Sequence, residues 1–314
     1  MNVIMTAPRL AAPAVALLES AGATIHYMDP FPPPEAIARL ARSIDPVAIL
    51  SRQGRVDAQV MQAAPNLKIV ARHGVGVDDV DLAEAARRSI LVTRAPGSNT
   101  HAVAEHTIAL ILALAKRLPA FAAQVAAGHW RAAAAQTRDL RGLRLGIVGC
   151  GAIGREVARL ATPFGIEPAG YDPAATHADF PLAPDLDTLL RRSDILSLHL
   201  PYTPSTHHLI GAAALAALPE GALVINTARG GLIDEPALAQ ALDSGHLDGA
   251  GLDVFEAEPA PLDHPLRRHP KVIATPHVAG VTPGSLVAMG TMAAECIAAI
   301  LTGAPVPPDR IVHP

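Results

Sequence analysis

The sequence predicts an α/β protein made of two doubly wound parallel-sheet domains, one inserted into the other. Short apolar runs typical of buried strands alternate with helix-forming runs, first with strands near residues 3–6, 24–27 and 47–50 and helices near 12–21 and 35–41. The alternation resumes after Gly142, with strands near Leu145, Glu167, Ile195, Leu223, Gly249 and Val272. This is βαβ organisation. Only 3% of residues are aromatic, so aliphatic and alanine packing must fill the interior, which suits helices on parallel sheets.

A glycine-rich turn joins a predicted strand to a predicted helix in RLGIVGCGAIGREVARL, residues 144–160. Gly149, Gly151 and Gly154 fall in G-x-G-x-x-G register. Gly149 permits the tight turn, Gly151 lets backbone N–H groups approach a pyrophosphate, and Gly154 lets helix and strand pack closely. Because a helix N-terminus offers free N–H groups to an anion, the segment predicts a dinucleotide site. A plain glycine turn is the alternative.

An acidic residue follows this turn at a characteristic distance. The next predicted strand ends in GYD, which places Asp172 about twenty residues after the glycines, where a ribose acceptor is expected. Its carboxylate would repel a 2′-phosphate, and the next residues, Pro173 to Ala175, supply no cation to hold one. NAD is therefore favoured over NADP. The alternative is an aspartate that only caps the following turn.

Two long predicted helices, at residues 101–118 and 285–301, frame the cofactor segment. Ser98 or Asn99 can cap the first of them. The economical arrangement is a substrate domain of residues 1–97 and 285–314 with a cofactor domain of residues 98–284. The prediction is thus a Rossmann domain inserted in a flavodoxin-like domain, with the substrate in the cleft between them.

Composition excludes several classes of protein. The 314 residues suggest about two domains, and a net charge of −4 argues against nucleic-acid binding. Two cysteines argue against a disulfide framework, and the start MNVIMTAPRL has no signal-peptide pattern. The longest uncharged apolar stretch identified, residues 107–115, is shorter than the roughly 18 residues of a membrane span. We expect a cytoplasmic enzyme with no membrane segment and no metal site.

Three polar residues each follow an apolar strand in the second half of the chain: Arg229 in INTARGGLIDE, Glu258 in GLDVFEAEP and His277 in ATPHVAG. Loops after strand ends face the ligand crevice of an open α/β sheet, so the three can converge on one small molecule. The planar fork of Arg229 suits a carboxylate. The alternatives are an arginine that caps a helix or pairs with Asp234, a structural histidine and a plain loop carboxylate.

Together these residues match the requirements of ketone reduction. A carboxylate beside an imidazole favours the imidazolium form, which can protonate an oxygen near neutral pH. His277 would protonate the oxygen as hydride from a nicotinamide reaches the carbonyl carbon, and Arg229 would hold the neighbouring carboxylate of a 2-oxo acid. In the oxidation direction neutral His277 would act as the base.

Several motifs in this order resemble the D-isomer-specific 2-hydroxyacid dehydrogenase family: VGCGAIG, SLHLPYTPSTHHLI, INTARGGLIDEPAL, GLDVFEAEP and TPHVAG. The likeness covers nearly the whole chain, because RHGVGVDDVDL at residues 72–82 and the helix NTHAVAEHTIALILALAKR also match. It is strongest for the phosphoglycerate dehydrogenase and hydroxypyruvate reductase branches.

The resemblance implies that Arg229, Glu258 and His277 are the catalytic arginine, the acid partner and the proton donor. It also implies a homodimer built mainly on the cofactor domains. Further contacts follow by motif match: the amides near Val75 and Gly76 with the substrate carboxylate, Ala152 and Ile153 with the pyrophosphate, Leu200 with the adenosine, and Thr227 and Asp253 with the nicotinamide, whose carboxamide Asp253 would accept from.

The chain departs from the family pattern at three places. Cys150 replaces a common leucine and is interpreted as a small buried residue, with a reactive thiol as the alternative. Asp79 stands where asparagine is frequent. Pro283-Gly284 interrupts the usual polar start of the last helix, although proline suits a first helical position.

The substrate stays open at the level of sequence. The loop at residues 51–55 could place Arg52 or Arg55 near a phosphate, or leave both in solvent. Phosphoglycerate, glycerate with hydroxypyruvate, glyoxylate and branched 2-oxo acids all remain candidates. Two rival functions are a binding protein that senses NAD(H), as the similar C-terminal-binding corepressors do, and a formate dehydrogenase. Formate dehydrogenases usually pair their histidine with glutamine, so Glu258 argues against the latter.

Overall fold

The computed structural model describes residues 1–130 and 136–312. The chain divides into two compact units, a first unit of Met1–Asn99 with Val281–Pro314 and a second unit of Thr100–Gly280. The strands are β1 (Asn2–Met5), β2 (Thr24–Tyr27), β3 (Ala48–Ser51), β4 (Ile69–Arg72), β5 (Leu91–Thr93), β6 (Arg144–Val148), β7 (Glu167–Tyr171), β8 (Ile195–Leu198), β9 (Ala222–Asn226), β10 (Leu247–Leu252) and β11 (Val272–Ala274). The helices are α1 (Ala12–Ser20), α2 (Pro34–Ile44), α3 (Ala58–Gln62), α4 (Leu82–Arg87), α5 (Thr100–Ala115), α6 (Leu118–Ala126), α7 (Ala152–Ala161), α8 (Leu186–Leu190), α9 (Ala212–Ala217), α10 (Glu235–Asp243) and α11 (Pro283–Thr302).

The first unit is a five-stranded parallel sheet in the order β2-β1-β3-β4-β5. Successive residues of its central strand are buried on opposite faces, since Ile4 packs into one core cluster and Val3 and Met5 into another. A strand buried on both faces has an apolar run rather than an alternating pattern. The order is that of flavodoxin-like sheets, with a change of direction at β1 and β3.

The second unit is a six-stranded parallel sheet in the order β11-β10-β9-β8-β6-β7. Its strands also contribute to two core clusters. Leu196 and Val224 belong to one cluster, and Ile147 and Ile225 belong to the other. The strand order reverses at β6, which pairs with both β7 and β8. In such sheets ligands bind outside the carboxyl ends of the strands at this reversal, and the glycine turn follows β6 directly. The predicted α/β class with two doubly wound parallel sheets is confirmed.

The helix predicted at residues 101–118 corresponds to α5, and the separate helix α6 that follows it was not predicted. α5 ends at Ala115, Arg117 adopts a left-handed conformation with φ of 51°, and α6 begins at Leu118. Pro119 in the first turn of α6 has no N–H to continue the preceding helix. The sequence carries signals of this break that were not used, since Lys116 and Arg117 interrupt the apolar run and Pro119 follows them.

The closing helix α11 begins at Pro283, with Thr282 as its N-cap in a capping box with Ser285. It has the length and composition of a membrane span, with a mean hydropathy of 1.7, so residues 107–115 are not the longest apolar stretch. However, α11 packs against α1 and β4 and buries Ala293, Ala294 and Ile297 in the core of the first unit. The core helix of a soluble protein meets the same test.

Candidate active site

Three neighbouring strands of the second unit carry the predicted catalytic residues beyond their carboxyl ends. Arg229 follows β9, Glu258 follows β10 and His277 follows β11. These strands are adjacent and parallel, with Ile225 beside Gly251 and Gly251 beside Ile273. Because parallel strands end at the same edge of a sheet, all three loops emerge together.

Glu258 and His277 are in direct contact. Oε2 of Glu258 lies 2.7 Å from Nδ1 of His277, and Oε1 of Glu258 accepts a hydrogen bond from the Phe255 N–H at 3.1 Å. The side chains are 37% and 49% exposed, respectively. The carboxylate thus engages one ring nitrogen of His277 and leaves Nε2 as the nitrogen that can meet a substrate.

Arg229 lies on a loop that packs closely against the Glu258 loop. A Cβ on Gly230 would lie 1.9 Å from the carbonyl carbon of Phe255, so only glycine permits this approach of two backbones. The Arg229 carbonyl accepts from the Asn226 side-chain amide at 2.8 Å, and its guanidinium donates to the Ala228 carbonyl at 2.7 Å. The loop that carries Arg229 therefore packs against the loop that carries Glu258, the partner of His277.

Asp253 holds the backbone of the loop that carries His277. It is 1% exposed, and it accepts from the Val278 and Ala279 N–H groups at 2.9 and 2.8 Å and from the Thr275 hydroxyl at 2.6 Å. The His277 N–H donates to the Asp253 carbonyl at 2.8 Å. These hydrogen bonds show that Asp253 positions the loop of His277. Its predicted contact with a nicotinamide remains a prediction.

Sequence reasoning missed two members of this network. Oγ1 of Thr275 lies 3.0 Å from Nε2 of His106, which projects from α5. Thr275 lies two residues before His277 in the ATPHVAG motif, and that position could have marked it. Nothing in the sequence pairs His106 with residues so far along the chain.

The glycine turn brings β6, α7 and the loop after β8 together. Gly149 has φ of 93°, and a Cβ there would lie 2.4 Å from the His199 carbonyl oxygen. A Cβ on Gly154 would lie 2.2 Å from the Gly149 carbonyl oxygen. At Gly151, the N-cap of α7, no atom of the described residues other than its chain neighbours lies within 4 Å of the Cβ position. Ala152 and Ile153 are the first two residues of α7, and the first N–H groups of a helix have no partner within it.

Asp172 lies at the end of β7 beside the same turn. Its two carboxylate oxygens accept from the Cys150 N–H and the Ala174 N–H, each at 2.9 Å. Through the Ala174 N–H the aspartate caps the following turn, which was the alternative interpretation of this residue. Through the Cys150 N–H it also fixes the glycine turn. Because each carboxylate oxygen has a second lone pair, these bonds leave capacity for ribose hydroxyls.

Cys150 is a buried residue, 1% exposed. Burial, reinforced by the negative charge of Asp172, raises the pKa of its thiol to about 11. A thiol that stays protonated at neutral pH is a poor nucleophile, so the reactive-thiol alternative is not supported.

The other two residues expected near the cofactor, Leu200 and Thr227, lie just beyond the carboxyl ends of β8 and β9. Leu200, two residues beyond β8, is half-buried against the core of the second unit. Thr227 directly follows β9 and is 9% exposed, with its hydroxyl 3.0 Å from that of Thr107 on α5. Neither residue meets His277 or Glu258 in a hydrogen bond within the described chain.

Val75 and Gly76 belong to the first unit, in the loop after β4. Their N–H groups donate no hydrogen bond within residues 1–130 and 136–312. Arg72, which was not among the predicted site residues, shapes this loop by donating to the Gly76 carbonyl at 2.9 Å and pairing with Asp79 at 3.1 Å. The aspartate that departs from the family pattern thus has a partner.

Arg72 also holds the loop after β3, since it donates to the carbonyls of Ser51 and Arg52 at 3.0 and 2.8 Å. The half-buried Arg52 guanidinium has no acidic partner among the described residues. Burial, followed by the nearby charge of Arg72, lowers its pKa. Arg55 is exposed.

Comparison with known proteins identifies the family. Residues 108–279 match the model of the D-isomer specific 2-hydroxyacid dehydrogenase, NAD binding domain. The chain is 43% identical over 279 residues to a D-3-phosphoglycerate dehydrogenase of Mycobacterium tuberculosis, covering 87% of this chain and 51% of that protein. It is 41% identical over 240 residues to a hydroxypyruvate reductase of Thermotoga maritima, covering 75% of this chain and 78% of that one.

A crystal structure of the TT0316 protein from Thermus thermophilus matches with a TM-score of 0.92 and 38% identity over 100% of both chains. The chain spans about half the length of the curated phosphoglycerate dehydrogenases it matches. The resemblance found in the motifs is therefore confirmed. The chain belongs to the D-isomer specific 2-hydroxyacid dehydrogenase family.

Proposed function

We propose that this chain is an NAD-dependent dehydrogenase that interconverts a D-2-hydroxy acid and the corresponding 2-oxo acid. The observation that carries the proposal is the 2.7 Å contact between Glu258 and His277, beside the loop of Arg229. A histidine with one nitrogen on a carboxylate and the other accessible is equipped for proton transfer to and from a substrate oxygen.

Bound NADH supplies the hydride for the carbonyl carbon. His277 donates a proton from Nε2 to the substrate oxygen as negative charge develops there, which stabilises the transition state. Glu258 accepts from Nδ1 and so stabilises the imidazolium before the transfer. In the reverse direction neutral His277 takes the hydroxyl proton. Asp253 keeps the His277 loop in place through three hydrogen bonds.

Arg229 binds the substrate carboxylate through its planar fork, which fixes the carbonyl with respect to His277. The N–H groups of Val75 and Gly76, which donate no hydrogen bond within residues 1–130 and 136–312, are the further donors that the family resemblance predicts for a substrate carboxylate. Both kinds of donor favour a 2-oxo acid over a simple ketone, because a ketone lacks the anion that they bind.

The residues of the glycine turn suit NAD. The open space at Gly151 and the N–H groups of Ala152 and Ile153 would hold the pyrophosphate, and Asp172 would accept from the ribose. Leu200 would border the adenosine, and Thr227 and Asp253 the nicotinamide. The charge of Asp172 disfavours the 2′-phosphate of NADP.

Arg52 supports a more specific proposal about the substrate. A half-buried guanidinium without a carboxylate partner is costly unless an anion meets it. We propose that it contacts a phosphate on carbon 3 of the substrate, which makes 3-phosphohydroxypyruvate and 3-phosphoglycerate the favoured pair. Hydroxypyruvate and glyoxylate are the candidates if Arg52 faces solvent.

We also propose a cytoplasmic homodimer built on the second unit. None of the nine residues of α6 is buried, and Leu118 and Val125 on it are 55% and 51% exposed. Trp130, just beyond, is 83% exposed. Apolar surface of this extent is typical of an interface, and a second copy of the chain is the proposed occupant.

The test is NADH oxidation by the purified protein with glyoxylate, hydroxypyruvate, 3-phosphohydroxypyruvate, pyruvate and 2-oxoisocaproate, with NADPH in parallel. We expect turnover of at least one 2-oxo acid and a preference for NADH. Tight NADH binding without turnover of any substrate would favour the rival function, a binding protein that senses NAD(H).

A further inference from the structure

His207, His208 and Glu256 form a cluster of metal-binding side chains outside the catalytic group. Their ligand atoms all lie within 4.8 Å of one another. The two histidines lie in the loop after β8 and the glutamate in the loop after β10, so the fold brings together residues that are distant in sequence. No metal site was expected from the sequence, because a pair of neighbouring histidines has no metal-ligand spacing on its own.

One pair of ligand atoms has about the separation that a tetrahedral ion requires. Nε2 of His208 lies 3.3 Å from Oε1 of Glu256. Two ligands bound at about 2.1 Å from Zn²⁺ with a tetrahedral angle are roughly 3.4 Å apart. These two atoms therefore need little movement to share one ion.

The His208 nitrogen also has an unmet need for a partner. Nε2 is shielded from solvent and makes no hydrogen bond within the described chain, although the Glu256 oxygen is near. A buried unsatisfied nitrogen costs free energy and calls for an explanation such as an ion. The backbone holds the side chain there, since the His208 N–H donates to the Gly231 carbonyl at 2.8 Å and its φ is 50°.

His207 lies close enough to join the same site. Its ring stacks on that of His208 with 3.8 Å between centroids and 26° between the ring planes, so the exposed His207 ring must rotate before both in-plane lone pairs can point at one ion. Its Nδ1 lies 3.2 Å from the Tyr202 hydroxyl. When Nδ1 donates to this hydroxyl, Nε2 carries the lone pair that a metal needs. Such outer partners commonly fix the tautomer of metal-binding histidines.

We propose that His207, His208 and Glu256 bind a divalent transition-metal ion of the Zn²⁺ type. Two imidazoles and one carboxylate suit Zn²⁺, with water in the fourth position. The ion would tie the loop after β8 to the loop after β10. None of the three ligands belongs to the proposed proton-transfer group, so the site is structural with respect to that chemistry.

The experiment is calorimetric titration of the untagged full-length protein with ZnCl₂ at neutral pH. We expect one equivalent to bind to the wild type, and His207→Ala and Glu256→Gln to weaken binding by about 10-fold or more. Co²⁺ gives a second readout, because a tetrahedral site produces intense visible absorption that both variants should lose. Both substitutions are at exposed positions, and thermal unfolding checks that the variants are folded.

His101→Ala is the matched control. His101 also lies between carboxylates, 2.6 Å from Glu156 and 3.1 Å from Glu105, but it reaches them through opposite ring nitrogens. The variant should bind Zn²⁺ as the wild type does. The proposal is wrong if the wild type binds no Zn²⁺, or if His207→Ala and Glu256→Gln bind it with unchanged affinity.

Discussion

Nδ1 of His277 lies 2.7 Å from Oε2 of Glu258, although the two residues follow different strands of the sheet. The carboxylate is itself fixed by the Phe255 N–H, and the His277 backbone by Asp253. The pair is thus held in register before any substrate arrives, which is the arrangement that proton transfer requires.

Replacing the proton donor should remove most of the activity. We expect His277→Ala to lower kcat for 2-oxo acid reduction by about 10²- to 10⁴-fold, because general acid catalysis contributes that much. The Kd for NADH, measured by fluorescence titration, should stay nearly unchanged. His246→Ala, outside the site, is the control. A near-wild-type rate for His277→Ala would remove the residue from the mechanism.

Cofactor choice should depend on the charge of Asp172. We expect Asp172→Ala to narrow the ratio of kcat/KM for NADH over NADPH, because the carboxylate no longer repels the 2′-phosphate. Asp172→Asn is the second variant, since it loses the charge and keeps one oxygen, which can accept from only one of the Cys150 and Ala174 N–H groups. An unchanged ratio in both variants would mean that Asp172 does not face the ribose.

Substrate choice should depend on Arg52. We expect Arg52→Ala to lower kcat/KM for 3-phosphohydroxypyruvate about 30-fold relative to hydroxypyruvate, which corresponds to about 2 kcal/mol for a charged hydrogen bond. Arg55→Ala, at the exposed neighbouring arginine, should leave that ratio unchanged. If Arg52→Ala affects both substrates equally, the guanidinium does not contact a phosphate.

Acid should destabilise the fold through His73, which is 6% exposed. Burial, with the nearby charge of Arg52, lowers the pKa of His73 to about 4. The ordinary pKa of histidine is 6.5, so between pH 6.5 and about 4 His73 is protonated in the unfolded chain and neutral in the folded chain. Its contribution to the free energy of unfolding is therefore fully present above this pH range. The contribution is lost as the pH falls through the range, by up to about 1.4 kcal/mol per pH unit.

Urea unfolding at a series of pH values measures this effect. We expect His73→Leu to flatten the loss of stability between pH 6.5 and about 4 relative to the wild type, and the exposed His129→Leu to leave it unchanged. An NMR titration of the wild-type His73 ring checks the same point without a substitution. A ring that titrates at its ordinary pKa would contradict the account.

The exposed helix α6 should be needed for dimer formation. We expect Leu118→Glu to convert a dimer to a monomer in sedimentation velocity, because a buried unpaired charge disfavours an apolar interface. Leu262→Glu is the matched control, since Leu262 is 69% exposed on a different loop of the same unit. A wild-type monomer, or a dimer in both variants, would exclude α6 as the interface.

Much of the fold could be predicted from sequence because its signals are local. Apolar runs mark the strands, and Gly149 and Asp172 mark the turn of the cofactor unit through fixed spacing. The end of α5 at Ala115 was predicted three residues too late, although Lys116 and Arg117 interrupt the apolar run there and Pro119 follows. Composition alone also does not distinguish α11 from a membrane span. Its packing against the core of the first unit identifies it as a core helix.

The residues of the candidate site likewise include some that sequence motifs reveal and some that only tertiary contacts reveal. Arg229, Glu258 and His277 could be found because each follows a strand in a recognisable motif. The tie from His106 through Thr275 to Asp253, and the histidine and glutamate cluster at His208, depend on which loops meet at the sheet edge. Contacts between residues this far apart in sequence are set by tertiary packing.

The proposed reaction is hydride transfer from NADH to a 2-oxo acid, with formation of the D-2-hydroxy acid. The most direct measurement uses NADH that carries deuterium at the transferred position and the best substrate of the panel, followed by chiral chromatography and mass analysis of the product. We expect a D-2-hydroxy acid with one deuterium on carbon 2. An L product, or a D product without the label, would exclude the proposed reaction.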